Sequence, residues 1–442
     1  MRLIIGRWIA EFIILASYMV FYEFVLLKEY MDIFTYLFVG VMYHPNIVKI
    51  IISAVLFFFF SLLLLNSHSE KNRIYDVFIR FVFCICIIPM LSVYACFEGI
   101  DQRNVLYPTL FFLLLIAVLK YYSSKEEGNE IVYLRIPHLK HTDYILLVLC
   151  ATCAVMIWAI SGFPIALNFD IAYERRMSLR MEALPSVLNY LFMFIGGTAL
   201  PYLFAKTWTS KRFFSAGISL VTGIILFFVN GMKTWLLLYP LFLGIALICK
   251  MSGNKEQKMN LLIDSMFLLI SVGCVAIYKL TGHFDLMSQF ARVTAIPNNI
   301  GFRSIGFFKE NELLYLRESI LRVFWSTPYE GGSDFYINYG ADSTITSSRA
   351  NNGLWGDAFR NFGLVGILIY PFFIGQIFRV IEVNCRGQEY KLRVFIMFLV
   401  LWSSINTSFF TWLLTGGVII IVLMAKTDIT NDRIFVRDEG FE

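Results

Sequence analysis

The stretch IVKIIISAVLFFFFSLLLL, residues 47–65, decides the class of fold. Its single charge is Lys49, near the start, and everything after Ser53 except Ser61 is apolar. At a helical rise of about 1.5 Å per residue, a run of this length covers the roughly 30 Å hydrocarbon core of a bilayer. A second stretch, VTGIILFFVNGMKTWLLLYPLFLGIALI (221–248), repeats the signal at greater length. Across all 442 residues, 58% are apolar and only 16% charged. Soluble domains carry about 25% charged residues, so the chain reads as a polytopic integral membrane protein.

Apolar runs mark about twelve spans, near 3–27, 47–65, 77–96, 105–122, 143–161, 187–205, 213–230, 233–249, 261–280, 354–378, 394–408 and 409–425. All are expected to be helical, because lipid offers the backbone no hydrogen-bond partners. Residues 213–249 read either as one broken helix or as a tight hairpin around NGMKT. The first run has no small-residue cleavage site after it and reads as a retained span. Lys and Arg concentrate in every second connection, including Arg2 and Arg7, Lys206, Lys211 and Arg212, and Arg379, Arg386, Lys391 and Arg393. By the positive-inside rule both termini are expected in the cytoplasm.

Two connections on the opposite side are long: 162–186 and 281–353. Within the larger, ENELLYLRESILRVFW (310–325) spaces Leu313, Leu316, Ile320, Leu321 and Phe324 as one helical face, with Glu318 and Arg322 at i,i+4. An amphipathic helix on the outer membrane surface is expected there. After it, Trp325, Tyr329, Tyr336 and Tyr339 lie among turn residues and suit either sugar faces or loop packing. The halves show no internal repeat, which counts against inverted-repeat transporters.

The net charge of +5 forms no basic face, so nucleic acid is not an expected partner. The eight cysteines give neither a disulfide frame nor zinc spacing; Cys84/Cys86 and Cys150/Cys153 fall inside spans and read as small buried hydrophobes. No ordered acidic pair signals a divalent cation, so no metal and no cofactor is expected.

The candidate chemistry lies in the two long connections. Arg175, Arg176 and Arg180 fall in one, and Arg292 and Arg303 in the other, with Lys233 in an apolar stretch near the same face. Guanidinium groups bind paired phosphate oxygens in a bidentate way, so these cations are candidates for a lipid-linked phosphate or pyrophosphate. Ion pairing with Glu174, Glu310 or Glu318 is the plainer alternative. Candidate proton-transfer groups on the outer face are Asp170, Glu174, His283, Asp285, Asp334, Asp342 and Asp357. The polar stretch RANNGLWGDAFRNFG (349–363) opens a span, with Asn351 or Asn352 able to cap it. Gly353, Asp357, Arg360 and Asn361 share one helical stripe. That stripe faces an outer cavity, or Asp357 and Arg360 form an internal lock.

Three stretches resemble a known family. ANNGLWGDAFRNFGLVGILIYPFFIG (350–375) is similar to the segment after the large periplasmic loop of bacterial oligosaccharide repeat unit polymerases, the O-antigen polymerase (Wzy) family; Ala350, Asn351, Trp355, Asp357 and Phe362-Gly363 carry the likeness. FVNGMKTWLLLYPLFLG (228–244) resembles the family's Gly-x-Lys/Arg turn, at Lys233. SQFARVTAIPNN (288–299) resembles its Arg-then-Pro segment, at Arg292. The resemblance implies a GT-C-like membrane glycosyltransferase in the bacterial inner membrane. Such an enzyme would transfer a growing glycan from undecaprenyl pyrophosphate to the non-reducing end of a new lipid-linked repeat. Arg175, Arg176, Arg180, Lys233, Arg292, Arg303 and Asn351 would hold substrate, and Asp357, Glu174 or His283 would serve the acceptor. It also implies a chain-length regulator and a flippase as partners, beside membrane lipids. The alternatives are an O-antigen ligase, which shares the large loop, and a flippase or transporter of the same lipid-linked oligosaccharide.

Overall fold

The computed structural model describes residues 2–34, 42–65, 73–124, 142–162, 165, 191–253, 256–319, 321, 324–329, 332–339, 352–385, 388–414 and 416–426. Among them all regular structure is helical, apart from one isolated bridge between Tyr43 and Phe97. Among the described residues, eight helices are long and apolar enough to cross a membrane: Trp8–Ile33, Ile47–Leu65, Ile74–Cys96, Gln102–Ser124, Asp143–Ile160, Lys233–Ser252, Lys258–Thr281 and Gly353–Cys385. The chain is an all-α polytopic membrane protein.

The ends of these helices follow from local chemistry. The Ile47–Leu65 helix starts at Asn46, whose Oδ1 accepts the amides of Val48 (3.0 Å) and Lys49 (3.2 Å). Residues 213–249 form a hairpin. Phe213–Asn230 stops at Gly231, which adopts a left-handed φ of 64° and donates its amide to the Phe227 carbonyl; Lys233–Ser252 follows directly. The first span is longer than its apolar run, continuing through a π turn at Tyr22–Leu26 to Phe34. The predicted spans 394–408 and 409–425 appear as Tyr390–Ser404, Phe409–Leu414 and Val418–Lys426, each short of a full crossing.

The chain divides into two compact units, one built from Met1–Gly128, Lys255–Arg379 and Ser404–Phe410, the other from Asn129–Asn254, Val380–Ser403 and Thr411–Glu442. In the first, Arg80 joins three spans. It pairs with Glu11 at 2.9 Å and with Asp264, and all three side chains are at most 4% exposed. Removing one partner from a buried pair leaves an uncompensated charge, so this cluster fixes which helices pack together. In the second unit, Gly196 lets two segments approach closely: a Cβ there would lie 2.3 Å from the Trp235 ring. Lys206 and Asp143 pair at 2.5 Å in the same unit.

The predicted loop 281–353 is not loop throughout. Asp285–Phe308 is a 24-residue helix, and 16 of its residues are buried. Among the described residues of 310–325 the expected amphipathic helix does not form. The described residues there run in turns, and Tyr315 and Leu316 take left-handed φ values of 49° and 66°. The cause lies in the Gly353–Cys385 helix, which breaks at Gly363 (φ 56°, ψ −136°). The break frees the carbonyls of Arg360 and Asn361 from their intrahelical partners. The amides of Leu314 (3.0 Å) and Tyr315 (3.1 Å) bond to them instead, and Asn361 Oδ1 accepts Leu316 N at 2.9 Å. Unpaired carbonyls cost more than an exposed helix gains, so the periodicity of 310–325 is overridden. Arg322 lies outside the described residues, and Glu318 instead accepts from Ser333 and Thr327.

Gly363→Ala places a Cβ on a backbone conformation almost confined to glycine and is expected to cost about 1–3 kcal/mol. Gly273→Ala, a mid-helix site with no neighbour within 4 Å, is expected to be neutral or to gain up to about 1 kcal/mol. Thermal melting of the two purified variants beside the wild type checks the contrast.

Candidate functional site

The site is built on the Asp285–Phe308 helix. Its sequence is only moderately apolar, yet its polar side chains are buried because the first unit supplies partners. The Thr294 hydroxyl lies 2.6 Å from the Tyr22 hydroxyl. Asn298 Oδ1 accepts Trp355 Nε1 at 3.1 Å, and Asn298 Nδ2 donates to the Thr294 carbonyl in the turn that Pro297 weakens. Phe302 packs between Tyr94 and Trp355 at centroid distances of 6.1 and 5.3 Å. Gly301 is required beneath that indole, since a Cβ would meet the Trp355 ring at 2.4 Å.

At the end of this helix lies a cleft of about 420 Å³, the size of a small-molecule site. One wall comes from the short connection after the Ile74–Cys96 span, with Gly99, Asp101 and Asn104. Phe302, Arg303, Gly306, Phe307, Lys309 and Glu310 also line it, with Ile337 from the Ser333–Tyr339 helix. Asp101 caps the Gln102–Val105 turn through Oδ1, which accepts the Arg103 amide at 2.7 Å. Lys309 Nζ donates to Asn104 Oδ1 and sits 5.1 Å from the centre of the Tyr107 ring. Burial holds the Arg303 guanidinium below its ordinary pKa, which marks a cation partly withdrawn from water.

Beside the cleft stands a polar lock. Asp357, 2% exposed, accepts Arg360 Nε at 3.0 Å and Asn361 Nδ2 at 3.1 Å on Oδ1. Its Oδ2 accepts the Phe409 amide at 3.0 Å. Arg360 also donates from Nη1 to Asp334 Oδ1 at 3.0 Å. Glu318 caps the Ser333–Tyr339 helix, accepting the Ser333 amide and hydroxyl at 2.6 Å each. The stripe 353–361 therefore faces inward onto protein groups. Of the two sequence readings of Asp357, this is the geometry of the internal lock.

The other predicted residues scatter. Arg303 lines the cleft, while Arg292 is exposed on an otherwise buried stretch of the same helix. His283 is exposed in the turn after Thr281, its amide bonded to Thr281 Oγ1. Lys233 opens a helix of the second unit. Glu174, Arg175, Arg176, Arg180 and Asn351 lie outside the described residues. Asp101, Asn104 and Lys309 were not legible as site residues; the one signal was the polar run DQRN (101–104) between two apolar spans. Among the described residues no group of three or more His, Cys, Asp or Glu side chains could hold a metal ion.

Fold and site together define a membrane-embedded helical protein with a polar cleft beside a buried ionic lock. No family model, no curated protein and no solved structure matches the chain.

Arg360→Ala leaves Asp357 and Asp334 without their shared cation and is expected to destabilise the protein by about 3–5 kcal/mol. His283→Ala, at an exposed turn, is expected to stay within about 0.5 kcal/mol of the wild type. Melting of the purified variants in detergent reads both.

Proposed function

We propose that the chain polymerises lipid-linked oligosaccharide repeats, moving a growing glycan from undecaprenyl pyrophosphate to a new lipid-linked repeat on the periplasmic side of a bacterial inner membrane. The observation that carries this reading is Arg303, a partly desolvated guanidinium in a ligand-sized cleft that also contains Lys309. The resemblance of 288–299 and 350–375 to repeat unit polymerases supports the same reading.

In the reaction an acceptor hydroxyl oxygen attacks the anomeric carbon of the donor. The bond from that carbon to the pyrophosphate oxygen breaks, and the lipid pyrophosphate departs with the electron pair. The hydroxyl proton passes to a base. Fixed cations close to the departing oxygens stabilise charge as it develops, and do so more strongly out of water. Arg292, exposed on the same helix about 16 Å of rise before Arg303, is the candidate for this task among the described residues, while Arg303 in the cleft holds another part of the same substrate. Arg175, Arg176 and Arg180 of the 162–186 connection, Asn351 and Lys233 are the further candidates for holding substrate, with Glu174 or His283 for serving the acceptor. Asp357 is assigned to the lock, because both its oxygens are occupied. A chain-length regulator and a flippase would act alongside.

In a strain lacking the gene, complementation with Arg303→Ala at wild-type protein level is expected to shorten the surface-glycan ladder toward single repeats. The underlying loss of rate is about ten- to a hundredfold, that of one hydrogen bond to a charged group. A wild-type ladder from this variant rejects the site. Deletion that removes all attached glycan, single repeats included, identifies a ligase instead.

A further inference from the structure

We propose that the cleft around Arg303 is a saccharide subsite, occupied by a neutral sugar of the lipid-linked substrate and not by its diphosphate. The assignment rests on the glycan-polymerase reading only for which sugar is bound. Its first support is charge. Arg303 and Lys309 share the cleft with Asp101 and Glu310, two cations with two carboxylates. A diphosphate drawn in by the cations would lie against both carboxylates, and like charges at close quarters are repelled. A polyhydroxylated ring meets no such conflict. Its hydroxyls donate to the carboxylates and accept from the guanidinium and ammonium groups, and each such bond to a charged group is among the stronger kinds.

The second support is aromatic. Phe307 lines the cleft and is braced from behind: its ring stacks on Tyr336 at 6.2 Å with an interplanar angle of 28°, and lies 5.4 Å from Tyr329. Tyr329 is itself fixed, its hydroxyl donating to the Glu312 carbonyl at 2.5 Å. A braced aromatic wall in a cleft that also holds two carboxylates and the Asn104 amide matches a sugar, which has apolar ring faces and polar edges. The third support is pre-organisation. Asp101 is held by the Arg103 amide and Asn104 by Lys309, so ordering these groups on binding costs little.

The test uses the full chain in detergent micelles. One probe is the free repeat oligosaccharide released by mild acid from the bacterium's own surface glycan; the other is inorganic pyrophosphate. Calorimetry and ligand-observed saturation-transfer NMR measure binding. The saccharide is expected to bind, with Asp101→Asn and Glu310→Gln each weakening it about tenfold, and pyrophosphate is expected not to displace it. Glu310 is exposed, so its variant keeps the fold. Displacement of the saccharide by pyrophosphate overturns the assignment. So does saccharide affinity that neither variant changes. Saccharide binding with the expected dependence, but a normal glycan ladder in the deletion strain, upholds the subsite and rejects the polymerase reading. A ladder that fails in the Arg303→Ala strain, with saccharide binding indifferent to Asp101 and Glu310, does the reverse.

Discussion

The carboxylate of Asp357 is the contact on which the site depends. Three donors converge on it from two separate stretches of chain: the Arg360 guanidinium, the Asn361 amide group and the Phe409 backbone amide. A carboxylate 2% exposed is tolerated only when its charge is met and its lone pairs are filled, and here both conditions hold. Arg360 carries the connection onward to Asp334 at the start of the Ser333–Tyr339 helix, and that helix supplies Ile337 to the cleft and Tyr336 to the aromatic wall. The break at Gly363, two residues beyond Asn361, finishes the arrangement by offering carbonyls to the 314–315 backbone. Lock, helix break and cleft wall are thus one construction.

This arrangement separates two tasks that polar residues at the mouth of a membrane helix could perform. The stripe of 353–361 holds segments together. The side chains that meet the cleft come from elsewhere, from the helix end at 302–310 and the connection at 99–104. Arg360 is held between two carboxylates, and Arg303 is among the residues lining the cleft. A guanidinium clamped by two carboxylates is a structural element.

Much of the fold was legible in the sequence because long apolar runs admit few readings. The runs at 47–65, 143–161 and 233–249 all became spanning-length helices. The Asp285–Phe308 helix was hidden because its polar residues are satisfied at a distance, Asn298 by Trp355 and Thr294 by Tyr22. No local pattern announces partners 57 and 272 residues away. The helix expected at 310–325 failed for the complementary reason. Its periodicity was real, but the carbonyls opened at Gly363 were a stronger claim on the same backbone. For the site, the sequence named Arg303, which lines the cleft, among several candidate cations, and gave two roles for Asp357. It could not show that residues 99–104 complete the cleft.

The central claim is that Asp357 holds the site together and takes no part in chemistry. The direct measurement is turnover in the proposed glycan transfer, per folded molecule, for purified Asp357→Asn, with folded protein counted from the monodisperse fraction. The account predicts a reduced folded yield and a lower melting temperature, with unchanged turnover per folded molecule. A variant that folds at wild-type yield and melts normally, yet has no turnover, would contradict it.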